Sequence, residues 1–177
     1  MAVEEIRMEE LDVAKFIEDQ CRSIHAEVGQ GTAVNALSGG VDSSVTTMLA
    51  HQALGDRLLT FFIDHGLMRE GEPEGVLATM RDLGVNVELV DARDEFFAAL
   101  KGRTDPEEKR QAITDTFYKT VFGRLVKESG ARFLLQGTIY TDVEETVAGI
   151  KRQHNILSQL GIDTEQAYGY KVIEPLI

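Results

Sequence analysis

Ser38-Gly39-Gly40-Val41-Asp42-Ser43-Ser44 crowds hydroxyls, glycines and one carboxylate into a single short stretch. Ala33 to Leu37 before it is a short apolar run, and Val45, Met48, Leu49 and Ala53 after it recur at helical spacing. The stretch is therefore predicted to be the turn from a buried strand into an amphipathic helix. Such a turn aims several backbone N–H groups, and the positive end of the helix dipole, at one point in space, which selects an anion. The serine hydroxyls donate to phosphate oxygens. A carboxylate beside polyphosphate is repelled unless a divalent cation lies between them, so Asp42 predicts magnesium and is assigned as both metal ligand and catalytic residue. A serine-capped helix after a glycine turn is the plainer reading, but capping needs only one Ser or Asp. No Gly-x-x-x-x-Gly-Lys-Ser/Thr spacing is present, so no loop lysine is placed to follow a γ-phosphate. Cleavage between the α- and β-phosphates of a bound polyphosphate, with this loop holding the departing pyrophosphate, is the more natural chemistry.

The elements that must position the loop follow a regular order. Leu11 to Val28 carries Ala14, Ile17, Cys21, Ile24 and Val28 on one stripe and is predicted to be a helix ending near Gly29. After the first βα unit, Arg57 to Ile63 is a second strand, and backbone groups near Ile63, at its carboxyl end, are placed to meet an adenine edge or ribose. His65 follows without a Ser or Cys nucleophile nearby and receives no role, and neither does His25. Glu72-Pro73 opens a helix with Val76, Leu77, Met80 and Leu83 as its buried face. Val85 to Val90 is a third strand, with Asp91 capping a short helix whose Phe96 and Phe97 are core material. Asp105-Pro106-Glu107-Glu108 starts a helix carrying Ile113, Phe117, Val121 and Leu125 to Gly130. Ala131 to Gln136 is a fourth strand. Gln136 and Gly137 leave its end, the glycine allowing close approach to a neighbouring helix or to a nucleotide. Thr141 to Glu144 is predicted to cap a further helix, and Lys171 to Ile177 to form a last strand. Strands separated by helical segments give a mostly parallel, doubly wound α/β sheet with helices on both faces.

The 177 residues suit one domain after an acidic leader at 1–10. A formal net charge of -12 leaves no clustered Lys and Arg for a phosphate backbone, so no nucleic-acid partner is expected. The single cysteine, Cys21, can build neither a disulfide framework nor a cysteine metal site, which fits a reducing cytoplasm. No apolar run is long enough to cross a bilayer, so no membrane partner is expected either.

The Ser-Gly-Gly-x-Asp-Ser stretch resembles the signature of PP-loop ATP pyrophosphatases, and further segments narrow the resemblance to the ATP-pyrophosphatase domain of GMP synthetase. These are Phe61 to Arg69, Asp105-Pro106-Glu107 with Lys109-Arg110, Leu135 to Tyr140 with Asp142, Ile150-Lys151 with His154-Asn155, and Glu174-Pro175-Leu176. The resemblance implies an adenine nucleotide alpha-hydrolase-like fold. It also implies an activity: the O2 of xanthosine 5'-monophosphate attacks the α-phosphate of magnesium ATP, pyrophosphate leaves, and ammonia displaces AMP to give GMP. Ser38, Gly39, Gly40, Val41, Ser43 and Ser44 would hold ATP through its pyrophosphate, with Ile63, Gln136 and Gly137 as further ATP contacts. Asp42 would hold magnesium, and Lys151, in the family's mobile lid, would supply positive charge over the reacting phosphate or the acceptor. A separate glutamine amidotransferase subunit would deliver ammonia, and the family's C-terminal dimerisation domain, with its homodimer, would lie outside this sequence. The lid departs from the family pattern: Arg152 and Gln153 replace Ser and the first His, and Ile156-Leu157-Ser158 replaces flexible glycines. Two other readings stay open, a related PP-loop ligase with a different acceptor and a non-catalytic adenine-nucleotide-binding module.

Overall fold

The computed structural model describes residues 10–142, 165 and 169–177. Its elements, in order, are α1 (Val13–Val28), β1 (Ala33–Leu37), α2 (Val41–Leu54), β2 (Leu58–Asp64), α3 (Glu72–Asp82), β3 (Val87–Asp91), α4 (Arg93–Leu100), α5 (Pro106–Asp115), α6 (Gly123–Ser129), β4 (Phe133–Leu135) and β5 (Lys171–Ile173). The strands form one parallel sheet in the order β3-β2-β1-β4-β5. The chain moves outward from β1 through β2 to β3 and then resumes on the other side of β1, so the order reverses between β1 and β4. In an open α/β sheet such a reversal point is where ligands bind, and it is flanked here by the loops after β1 and β4.

Alternation along the strands divides the core into two layers. Ala33 and Leu37 of β1, with Leu58 and Phe62 of β2, pack towards α1, α2 and α3. Val34, Phe61, Ile63 and Leu134 pack on the opposite face against Phe96, Val121, Phe122, Leu125 and Val126 from α4 to α6. Phe62, Phe96 and Phe122 are the largest fully buried side chains. Burying each of them stabilises the fold by about 1.5–3 kcal/mol relative to exposure. The doubly wound arrangement is as expected, with every described strand parallel.

Four local expectations are corrected. On α2, Val45 is 41% exposed, and the buried face is Thr46, Thr47, Leu49, Ala50 and Leu54. The helix is covered by α1 on one side and the sheet on the other, so its inward face is not the one that apolar spacing alone selects. On α3 only Met80 is buried. Leu83, 51% exposed, falls just past the last turn, where the chain leaves the helical path. Phe96 is core but Phe97 is 49% exposed and lies over Gly66, because consecutive residues on the two-turn helix α4 cannot both face the sheet. Asp91 closes β3 rather than occupying the cap position, which is Ala92, although its carboxylate accepts from Arg93 N at 3.2 Å.

The helical run from Pro106 to Ser129 is continuous but has a π-helical stretch at Thr116–Phe122, which rotates Val121 and Phe122 together into the core. Asp105 caps the start of α5 as expected, accepting from the N–H groups of Glu107 and Glu108 at 2.9 and 3.0 Å. Beyond β4 the chain turns helical at Tyr140, one residue before the expected cap. Asp142, not Thr141, closes that turn by accepting from Ile139 N at 3.2 Å. Residues 1–9 of the leader, Glu144, Lys151, Arg152, Gln153 and His154 lie outside the described residues.

Candidate functional site

The site is built on the β1–α2 turn. Gly39 has φ +82°, and a Cβ there would sit 2.9 Å from a methyl of Val76 on α3, so both conformation and space demand glycine. Gly40 ends the turn in extended conformation at the N-cap of α2, and no side chain among the described residues caps the first helical turn. The opening amides of α2 are thus left to whatever binds there, at the positive end of the dipole.

The serines form a compact network beneath those amides. Ser43 Oγ accepts from Ser38 N at 3.3 Å, lies 2.9 Å from Ser38 Oγ, and donates to the Gly40 carbonyl at 3.0 Å. Ser44 Oγ donates to the same carbonyl at 2.8 Å. Holding Gly40 O with two hydroxyls as well as Ser44 N fixes the peptide that starts the helix. Ser38 to Asp42 are exposed, and Val41, at 77%, leaves the mouth open.

The β4 loop closes the other side. Gln136 N donates to Ile173 O at 3.0 Å, Gln136 Nε2 donates to Thr138 Oγ1 at 3.1 Å, and Thr138 is fully buried. Gly137 is pressed against α2: a Cβ would meet Asp42 C at 2.9 Å, Asp42 O at 3.0 Å and Ser43 N at 3.1 Å. Of the two objects considered for that close approach, the neighbouring helix is the one found. Ile63 is buried in the core, and β2 continues past its last pairing with β1, Leu37↔Phe62, so the backbone edge of Ile63 and Asp64 is uncovered on that side. The predicted loop residues, Gly137 and Asp42 therefore come together at the sheet's reversal point. Lys151 lies outside the described residues.

Asp42 stands on the first turn of α2 at the surface. Among the described residues no three His, Cys, Asp or Glu side chains group into a metal site. An exposed carboxylate of this kind suits magnesium, which keeps several waters and is commonly held by one or two carboxylates together with substrate phosphates.

A cluster at the ends of β2 and β3 joins Asp64, His65 and Asp91, to none of which the sequence alone gives a role in the site, with Arg93. Arg93 clamps Asp91 through Nε at 2.8 Å and Nη2 at 2.5 Å, and its Nε lies 3.8 Å from Asp64. The guanidinium holds the Asp91 carboxyl down at about 2. Asp64 accepts from Gly66 N at 2.8 Å, so it orders the turn after β2. His65 accepts from Leu67 N through Nδ1 at 3.1 Å and stands against Phe96. Burial lowers its pKa, opposed by the Asp64 and Glu72 charges, which favours a neutral ring with the proton on Nε2. The Asp-x-Arg spacing at Asp91 and Arg93 was the available signal. No helix among the described residues is long and apolar enough to cross a membrane.

The sequence profile of the family described as NAD synthase matches residues 11–121. A subunit of the glutamine-hydrolyzing GMP synthase of Archaeoglobus fulgidus is 51% identical over 167 residues, covering 94% of this chain and 52% of the relative. The subunit of the same name from Pyrococcus furiosus is 49% identical over 163 residues, covering 92% and 50%. The chain thus spans about half the length of the curated relatives it matches. Among solved structures, an NH3-dependent NAD synthetase from Campylobacter jejuni matches with a TM-score of 0.67 at 15% identity, covering 91% of this chain and 80% of that one. The U34-tRNA thiolase NcsA from Methanococcus maripaludis, with its [4Fe-4S] cluster, matches with a TM-score of 0.63 at 17% identity, covering 93% and 60%.

Proposed function

This chain belongs to the NAD synthase family, and from that we propose that it is the ATP-pyrophosphatase part of a ligase like the GMP synthase subunits. The observation that carries the reading is the uncapped first turn of α2, fixed by the serine network beside the β4 loop, in a chain 51% identical to such a subunit. In the proposed reaction, the O2 of xanthosine 5'-monophosphate attacks the α-phosphorus of ATP, the bond to the pyrophosphate oxygen breaks, and ammonia then displaces AMP to give GMP.

The chain's own residues supply position and charge. The backbone amides of Gly39 to Ser43 hold the β- and γ-phosphates, and the Ser38, Ser43 and Ser44 hydroxyls donate to them by turning from the partners they have here, so the leaving group is stabilised before the bond breaks. The backbone edge at Ile63 receives the adenosine end. Gly137 sets the height of the α2 turn against the β4 loop, with Gln136 beside it. Asp42 holds magnesium, which when bound neutralises charge on the phosphate oxygens. Lys151 supplies positive charge over the reacting phosphate or the nucleotide acceptor. Ammonia comes from a separate glutamine amidotransferase subunit, since the relatives are subunits of an enzyme that hydrolyses glutamine. A homodimer and a cytoplasmic location belong to the same proposal.

The single cysteine within these 177 residues cannot by itself hold a [4Fe-4S] cluster such as the thiolase carries. The test is release of pyrophosphate from magnesium ATP. Release that requires xanthylate supports the proposal. Release with another carbonyl or carboxylate acceptor replaces it with a related ligase, and tight ATP binding without release under any condition leaves only a nucleotide-binding module.

A further inference from the structure

Asn35 is the middle residue of the central strand, paired with Thr60 on β2 and Leu135 on β4, and it is 1% exposed. It shares the face of Ala33 and Leu37 and so points at α2. Its Nδ2 donates to Thr47 Oγ1 at 2.5 Å, and Thr47 Oγ1 lies 2.7 Å from the Ser43 carbonyl. The direction of this chain is fixed by chemistry. A carbonyl only accepts, so the one hydroxyl proton of Thr47 goes to Ser43, and Asn35 must present its NH2 group to the hydroxyl oxygen. Ser43 in turn carries the hydroxyl that ties Ser38 N to Gly40 O.

We infer that Asn35 and Thr47 are positioning residues that set the first turn of α2 from the middle of the sheet, and so aim the amides that take pyrophosphate. The inference rests on the proposed role of the loop as a pyrophosphate site. A second observation supports it. Asn35 Oδ1, Thr46 Oγ1 and Thr60 Oγ1 are buried without a hydrogen-bond partner among the described residues. Orphaned buried polar atoms destabilise a fold, and apolar side chains of the same size would serve packing better. Polar groups kept at a cost to stability, on the inner face of the helix that carries the site and on the strands beneath it, mark function rather than packing.

The test measures binding of magnesium pyrophosphate by calorimetry, and unfolding without ligand, for the wild-type chain and for Asn35→Leu, Thr47→Val, Thr47→Ser and the Asn35→Leu/Thr47→Val double variant. Asn35→Leu and Thr47→Val are each expected to weaken binding about tenfold, the equivalent of one hydrogen bond. The Tm of Asn35→Leu is expected to hold or rise. Thr47→Ser, which keeps the hydroxyl, is expected to bind as wild type, and the double variant no more weakly than the weaker single one, because both act through one chain of bonds. Wild-type affinity in Thr47→Val, or equal losses in Thr47→Ser and Thr47→Val, overturns the inference. So does a lowered Tm in Asn35→Leu with unchanged affinity, the sign of a purely structural role. If Asn35→Leu fails to fold, the Thr47 pair decides alone. Failure of the wild-type chain to bind pyrophosphate is a different result: it removes the proposed role of the loop itself, and the inference falls with it.

Discussion

Gly137→Ala isolates the contact on which the site's geometry depends. Gly137 is not among the glycines with positive φ, so alanine meets no backbone strain there. The new methyl instead meets the backbone of Asp42 and Ser43, which cannot rotate away. Bringing the nearest contact from 2.9 Å to ordinary van der Waals distance moves the β4 loop and the first turn of α2 apart by about 0.5 Å. Overpacking of this kind costs about 1–3 kcal/mol, offset by about 0.4–1 kcal/mol from a less flexible unfolded chain. A net loss of about 1–2 kcal/mol lowers Tm by roughly 2–8 °C in a domain of this size. Displacing the amide donors is expected to weaken magnesium pyrophosphate binding about tenfold, since a shift of about 1 Å at a reacting centre costs about a hundredfold. Gly130→Ala is the control. It introduces strain at φ +66° with nothing within 4 Å of the new methyl. It therefore costs about 1–2 kcal/mol and leaves binding unchanged. Thermal unfolding and calorimetric titration of both variants read the two effects separately. A Gly137→Ala protein that loses stability but binds pyrophosphate as well as wild type would refute the assignment of the anion to the α2 turn.

Asp42→Ala is expected to weaken magnesium ATP binding and abolish pyrophosphate release, and unchanged calorimetric affinity in the presence of magnesium removes the metal role. Lys151→Ala is expected to leave ATP affinity nearly intact while slowing the chemistry, so an equal rate excludes Lys151 from the mechanism. Asp91 carries the pH dependence: its folded pKa is held down at about 2 by Arg93, below an unfolded value of about 3.9. The stabilisation is therefore complete above the unfolded pKa and is lost as pH falls towards about 2. The difference in Tm between wild type and Arg93→Ala is expected to be largest above pH ~4 and to vanish near pH ~2. A difference independent of pH would assign Arg93 a packing role instead.

The strands were legible because parallel strands buried on both faces read as short apolar runs between turn signals, as in Ala33 to Leu37 and Phe61 to Ile63. The glycine loop was legible because Gly39 answers a local demand, a left-handed bend beside Val76. Faces of helices were harder. Periodicity marked Val45, Leu83 and Phe97 as buried, but exposure there depends on how α1 covers α2, where α3 stops and how short α4 is. The Asn35–Thr47–Ser43 chain joins residues from different elements, so no local pattern announces it, and of the Asp91–Arg93–Asp64 cluster only the Asp91–Arg93 spacing is local. Gly137 was recognisable as a point of close approach, but only the sheet order identifies α2 as the object approached.

The most direct measurement is a crystal structure of the chain with magnesium ATP bound. The β- and γ-phosphates are expected on the amides of Gly39 to Ser43, with the cation against Asp42. Phosphates seated elsewhere on the chain, or the adenine ring in that turn, would contradict that placement.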